Sequence, residues 1–329
     1  MPRWSSRRLP DALQRLGVVF IALGALVAGA AIWLFYAAGT HTRETIVSIP
    51  QGASAAHVAR LLDAAGVIRA PVIFRLGARL GGDAGKLHAG EFAIPPRASM
   101  AETLEIITGG EVVLYGFTIP EGLTSQQIAE RLRALPYLAG DIADIPAEGT
   151  LWPETYHVPR GTTRAAILAQ MQTAQRAELP ALWASRQPDL PLNDMNEAVI
   201  LASIVEKETG IAEERRLVAA VFVNRLRRGM RLQSDPTIIY GLTGGAGALG
   251  RPIRRSEIAG KTPYNTYQID GLPPTPIANP GRAALAAVLD PADSAALYFV
   301  ADGSGGHVFA DTLEAHNRNV QNWRRESRK

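Results

Sequence analysis

The sequence predicts an α+β protein: a single N-terminal transmembrane helix, a small βααβ-type module, and a larger mixed α/β domain. Three observations predict it. No charged residue stands between Arg15 and His41. Short strand-like runs then alternate with capped amphipathic helices at Pro/Gly turns. Near the middle, the segment from Asp194 is apolar around most of its circumference, and such a helix needs a core to bury it.

The N-terminal stretch from Leu16 to Ala38 is almost continuously apolar. At about 1.5 Å per residue it crosses a hydrocarbon layer of roughly 30 Å. Trp33, Phe35 and Tyr36 gather at its far end, where an aromatic belt belongs. Arg3, Arg7, Arg8 and Arg15 precede it against Asp11 alone. That bias predicts a cytoplasmic tail over 1–16, a membrane helix over 17–38, and an exported remainder. A cleaved signal peptide ending near Ala37-Ala38-Gly39 is the competing reading. Signal h-regions run only about 7–15 residues, so an uncleaved anchor is expected.

Beyond the anchor, Thr45–Ile49 reads as a strand and Pro50-Gln51-Gly52 as a turn. Ser54 can cap a helix over 55–65 that Gly66 ends. A second helix is expected over 71–80 and a second strand over 88–94. Ser99-Met-Ala-Glu102 is a capping box opening a helix that closes at Gly109-Gly110. These elements form the small module, residues 44–112. Its first turn then recurs. Ile49-Pro-Gln-Gly-Ala-Ser aligns without gaps on Ile119-Pro-Glu-Gly-Leu-Thr, an offset of 70 residues. Two copies are too few for a solenoid and imply two related units in series.

The second domain, 113–329, opens with that repeat and continues through Leu151-Trp-Pro-Glu-Thr-Tyr156. Helices are expected over 163–186 and, after the acidic cap Asp194 with Glu197 three residues on, through Glu206. Another spans 213–228. The remainder reads as loop-rich: 232–241, 262–267, and the proline-dense 271–281. A strand over 296–301 then leads to Gly305–Phe309 and a helix carrying His316-Asn317. Long ordered loops within a domain are commonly functional.

Composition narrows the chemistry. The formal net charge of +3 is matched by the four arginines and one aspartate of the first sixteen residues. The rest is nearly neutral, which excludes a broad nucleic-acid footprint. With no cysteine, disulfides, zinc–thiolate sites and cysteine nucleophiles are excluded. There is no Walker loop, no H-E-x-x-H and no G-x-S-x-G elbow. His307 and His316 favour hydrogen bonding or substrate contact over a metal pair, and no metal or cofactor is expected. What stands out is Leu201-Ala-Ser-Ile-Val-Glu-Lys-Glu-Thr-Gly210, where an apolar helix runs into carboxylates. Glu206 and Glu208 leave it on opposite edges of the apolar stripe. A poorly solvated carboxylate keeps its proton near neutral pH and serves as a general acid. Glu206 is the expected acid. Aromatic rings and side-chain amides in the ordered loops suit a sugar, and an acid carboxylate suits glycosidic cleavage.

At these motifs the sequence closely resembles the endolytic murein transglycosylases, the MltG or YceG-like family. The matching segments are Ala202-Ser-Ile-Val-Glu-Lys-Glu-Thr209, Gln233-Ser-Asp-Pro-Thr-Ile-Ile-Tyr-Gly241, Tyr264-Asn-Thr-Tyr267, Gly271–Gly281 and Tyr298-Phe-Val-Ala-Asp-Gly303 through His316-Asn317. The resemblance implies a LysM-like module at about 44–112, then a YceG-like catalytic domain. It implies cleavage between N-acetylmuramic acid and N-acetylglucosamine in nascent peptidoglycan, leaving 1,6-anhydromuramyl ends. Carried onto this chain, Glu206 is the acid/base, and the substrate's own C6 hydroxyl is the nucleophile. The same motifs supply the expected substrate contacts: Ser203, Glu208, Gln233, Asp235, Tyr240, Asn265, Tyr267, Asn279, His307 and Asn317. The implied partners are peptidoglycan glycan strands and the elongation synthases, the penicillin-binding proteins; the implied location is the inner membrane with a periplasmic catalytic domain. Two other readings stay open: a non-catalytic wall-binding anchor, and a hydrolytic muramidase using Asp235 as a second carboxylate.

Overall fold

The computed structural model describes residues 11–326, so Arg3, Arg7 and Arg8 lie outside the described residues. The chain divides into two compact units, one ending at Tyr115 and the other starting at Gly116.

The first unit begins with helix α1 (Asp11–Tyr36), of which Arg15–Tyr36 is long and apolar enough to cross a membrane. Then come β1 (Thr45–Ile49), α2 (Ala55–Ala64), α3 (Pro71–Leu80), β2 (Gly90–Ile94) and α4 (Met100–Gly109). Side-chain oxygens set the helix starts. Ser54 Oγ accepts from His57 N at 3.3 Å, and Ser99 and Glu102 cap each other reciprocally at 3.1 and 2.8 Å. Gly110 stops α4 in the left-handed conformation. β1 and β2 pair antiparallel with Val47 opposite Phe92. Alternation turns Val47, Ile49, Phe92 and Ile94 inward, onto Val58, Leu62, Phe74 and Ile107. The last turns of α1 pack on α3 and α4.

The second unit contains most of β3 (Leu114–Thr118), then α5 (Ser125–Arg133), β4 (Thr155–Pro159), α6 (Arg164–Ala184), α7 (Met195–Glu208) and α8 (Arg215–Arg227). It continues with α9 (Asp235–Thr243), α10 (Arg255–Ala259), α11 (Arg282–Leu289), β5 (Tyr298–Ala301), β6 (His307–Ala310) and α12 (Leu313–Glu326). β3 pairs with β4, and β5 with β6 as an antiparallel hairpin. One segment expected to be a loop, 232–241, is largely helical, and an unanticipated helix follows another such segment. Pro236 sits in the first turn of α9, where a missing N–H costs nothing, and α11 follows the proline-dense run directly.

Helix α7 is the axis of this unit. Asp194 Oδ1 accepts from Glu197 N at 2.9 Å, while the Glu197 carboxylate turns back to Asn193. Every residue from Ala198 to Val205 is buried, as an apolar circumference requires. α8 and α11 pack against it. Leu201→Ala, at a position with no exposure, is expected to destabilise the fold by about 2–5 kcal/mol through lost transfer energy and a residual cavity. Denaturant unfolding checks this; an unchanged midpoint would contradict the packing.

The repeated turn keeps one local geometry in both copies. Ser54 and Thr124 cap α2 and α5 with nearly equal backbone angles, and Gly52 and Gly122 have φ of +75° and +74°. Only glycine adopts such φ readily. The surroundings differ. A Cβ at Gly52 would meet nothing, whereas at Gly122 it would lie 3.3 Å from Glu206 Cγ. The second copy therefore abuts the end of α7.

Candidate active site

Because successive helical residues turn by about 100°, Glu206 and Glu208 leave the end of α7 on nearly opposite sides. They enter different surroundings. Glu208 lines a cavity of about 420 Å³ with Arg225, Gln233, Asp235, Tyr267 and His316. Phe299 and Val300 of β5 and Val320 of α12 form its apolar wall. Ser234 Oγ donates to Glu208 Oε1 at 2.5 Å. Burial pushes the Glu208 carboxyl up to about 7, and the neighbouring Asp235 charge adds to the shift. The Ser234 bond and the charges of His307 and Arg225 act against it. The group therefore exchanges its proton close to neutrality, as a general acid that must later act as a base requires.

Each wall of the cavity has a local cause. Gln233 is one of three non-glycine residues with positive φ among those described, at +53°. Its N–H donates to Thr266 O at 3.1 Å, and Ser234 N to Thr266 Oγ1 at 2.9 Å. These bonds tie the start of α9 to the 262–267 loop and hold the uncommon conformation in place. Tyr267 donates its hydroxyl to Asp235 Oδ1 at 2.7 Å. Arg225, 8% exposed, comes from α8. Its Nε donates to Leu297 O at 2.7 Å and its Nη1 to Leu232 O at 2.8 Å, joining β5's approach to α9's.

Glu206, the acid expected from the sequence, is placed differently. Gly281 N donates to its Oε2 at 2.9 Å, at the N-cap of α11. Glu121 packs so closely on Gly281 that a Cβ there would overlap its carboxylate. Burial raises the Glu206 carboxyl, and Glu121 adds to this, while Gly281, Arg215 and Lys207 lower it. Glu206 thus ties the end of α7 to the start of α11 and is not among the residues lining the Glu208 cavity.

Of the expected substrate contacts, Glu208, Gln233, Asp235 and Tyr267 are brought together here. Others are held inside the fold by bonds within the protein. Ser203 has no exposure: it donates to Ile200 O and accepts from Ile277 N, pinning the proline-dense loop to α7. Asn265 is fully buried, its amide donating to Glu257 O, Ile258 O and Gly260 O and its Oδ1 accepting from Tyr267 N. Asn279, equally buried, accepts from Leu151 N and donates to Leu123 O, Ser125 and Glu148. Their amides are satisfied inside the protein, as buried polar groups generally are. Tyr240 packs at a tilt on Tyr264, ring centroids 5.0 Å apart, and lines a separate cavity with Thr124 and Gln127. His307 pairs through Nδ1 with Glu214 at 2.7 Å. Asn317 is exposed on α12.

Residues 47–322 match the YceG-like family. The chain belongs to the YceG-like family. Among curated relatives, the endolytic murein transglycosylase of Streptococcus pneumoniae strain D39 is 30% identical, covering 83% of this chain and 57% of its own length. This chain thus spans a little over half of that relative. The Bacillus subtilis protein of the same name is 26% identical, covering 83% of this chain and 82% of its own. A crystal structure of a YceG-like protein from Listeria monocytogenes aligns with a TM-score of 0.50 at 29% identity. It covers 84% of this chain and 99% of that one.

Within this YceG-like unit, the sequence did not single out Arg225 as a cavity residue or Ser234 as the hydrogen-bond partner of Glu208. An arginine inside the apolar run Val221-Phe-Val-Asn-Arg225 was the available signal for the first. His316, for which the sequence favours hydrogen bonding or substrate contact, lines the cavity. It stacks on Tyr298 at 5.1 Å, and burial, with the Arg225 charge, lowers its pKa.

The electrostatics give a pH prediction. Asp235→Asn removes a like charge facing Glu208 but leaves an oxygen to accept from Tyr267. The proton on Glu208 is then held less tightly, so its pKa falls from about 7. If the protonated form donates, the alkaline limb of the pH–rate profile moves to lower pH; a limb that stays put contradicts the coupling. Stability follows the same sign. As pH rises between the ordinary value of 4.5 and about 7, the folded state must give up a proton it holds more tightly than the unfolded chain does. Glu208 thus lowers stability across that window.

Proposed function

We propose that this chain is a membrane-anchored endolytic lytic transglycosylase acting on peptidoglycan, with Glu208 rather than Glu206 as its acid/base. The observation that carries the assignment is the Glu208 cavity. It joins a carboxyl titrating near neutrality to Gln233, Asp235 and Tyr267, in a chain of the YceG-like family. The relatives named endolytic murein transglycosylase support the reaction class.

In the proposed reaction, the protonated Glu208 carboxyl gives its proton to the glycosidic oxygen as the bond from muramyl C1 breaks. The N-acetylglucosamine hydroxyl leaves. The Glu208 carboxylate then takes the proton of the muramyl C6 hydroxyl, whose oxygen closes on C1. The ring is a 1,6-anhydro end, no water enters, and Glu208 regains its proton. Asp235, steadied by Tyr267, faces the cation-like sugar. Arg225 and the Ser234 hydroxyl steady the ionised Glu208 between the two steps.

The anchor reading puts α1 across the inner membrane with the tail cytoplasmic and the chain beyond α1 periplasmic, supported by the length and composition of Arg15–Tyr36. The family resemblance extends the proposal to a LysM-like module at 44–112, a catalytic domain at 113–329, and penicillin-binding synthases as the source of nascent strands. A hydrolytic muramidase is the second reading, because Asp235 lines the same cavity. One experiment separates them. Purified glycan strands are digested in ¹⁸O-labelled water and the new ends weighed by mass spectrometry. Anhydromuramyl ends without ¹⁸O are expected. Reducing ends carrying ¹⁸O would establish the hydrolase, and uncut strands the non-catalytic anchor.

A further inference from the structure

Helix α3 shows an exposed face that its own unit does not use. Val72, Leu76 and Leu80 are 72%, 49% and 78% exposed, while Phe74 and Ala78 on the opposite side are fully buried. At 100° per residue the exposed arc is ordered. Leu80 lies toward Ile73 and Gly77, the edge where Phe35 of α1 packs, and exposed Arg75 and Arg79 lie toward the far edge. Apolar residues thus adjoin the anchor and basic residues stand away from it.

The depth of this face can be read along α1. Leu76 and Leu80 share an apolar cavity of about 540 Å³ with Ala31, Ile32 and Phe35, residues of the apolar span itself. Ala31 precedes the end of α1 by five residues, about 7 Å along a helix. An interfacial helix buries its apolar face about 5–10 Å into the headgroup and acyl boundary. Any bilayer that contains α1 therefore reaches the level of Leu76 and Leu80. Asp83, at the cavity's rim, is paired with Lys86 at 2.9 Å.

We propose that α3 lies in the membrane interface beside the anchor, with Val72, Leu76 and Leu80 among acyl chains and Arg75 and Arg79 at lipid phosphates. The proposal rests on the anchored reading of α1. Lipid is favoured over a protein partner by continuity with the span and by the order of the arc, apolar toward the anchor and cationic beyond it. Arginine stems cover apolar surface while their guanidinium groups reach the phosphates. The first unit would then be fixed to the bilayer by two elements and not swing from one.

The absence of cysteine makes the test clean, since each single substitution gives one labelling position. Full-length protein carrying Leu80→Cys, Phe20→Cys or Asp63→Cys is labelled with bimane and placed in vesicles of phosphatidylethanolamine and phosphatidylglycerol. Lipid-borne nitroxides at shallow depth should quench the Leu80 label several-fold more than the label at Asp63 on α2. Aqueous iodide should do the reverse. Replacing phosphatidylglycerol by phosphatidylcholine should weaken lipid quenching at Leu80, and the Arg75→Gln/Arg79→Gln variant should lose that dependence. If deep nitroxides quench the label at Phe20 while iodide reaches Leu80 freely, the anchor stands and this proposal falls. If the Phe20 label is not quenched either, the anchor itself is wrong. Protection at Leu80 without lipid quenching, growing with protein density, would mean a second copy covers α3 and would also overturn it.

Discussion

Replacing Glu208 by glutamine is expected to lower turnover on glycan strands by about 10²–10⁴-fold or more, the usual reach of general acid–base catalysis. The amide keeps the shape and the bond from Ser234, but it neither donates nor recovers the proton. Glu206→Gln is expected to retain most activity, because an amide oxygen can still accept from Gly281 N. Single-turnover rates for the two variants decide between neighbouring carboxylates. The reverse pattern, loss at Glu206 with activity kept at Glu208, would return the acid to the position the sequence first favoured.

Arg225→Met should produce the largest stability change among the cavity residues. The guanidinium is nearly enclosed, and its donors satisfy Leu297 O and Leu232 O. Methionine fills similar space but leaves both carbonyls without these donors. At about 1–3 kcal/mol for each unsatisfied buried group, roughly 2–6 kcal/mol should be lost. A second effect has a definite sign. The Arg225 charge favours ionised Glu208, so its loss should move the alkaline limb of the pH–rate profile upward, opposite to Asp235→Asn. Denaturant midpoints and pH–rate profiles read the two effects separately. A variant with wild-type stability and an unmoved limb would show that Arg225 neither braces the cavity nor acts on Glu208.

The helix starts were legible in the sequence because they are set within three residues. Ser54, Ser99, Thr124, Thr163 and Asp194 each accept the backbone N–H that their spacing announces. The burial of α7 was legible for a similar reason: eight successive residues leave no polar face. Helix α9 was not, since proline and glycine read as loop although Pro236 opens a first turn. The choice between Glu206 and Glu208 could not be read from α7 either. Both leave the same apolar helix, and their partners come from Glu121 and Gly281 in one case and from Arg225, Ser234 and Asp235 in the other. Asn265 and Asn279 show the same limit. A side-chain amide that orders a loop and one that binds a sugar are the same residue in a sequence, and only burial separates them.

The central claim is that Glu208 holds its proton to near neutrality. It is tested most directly by titrating the side-chain carboxyl carbons of ¹³C-glutamate-labelled protein by NMR. The Glu208 resonance is identified by its disappearance in Glu208→Gln. The account predicts that this signal titrates with a midpoint near 7. A Glu208 signal titrating near 4.5, with Glu206 the highest, would contradict it.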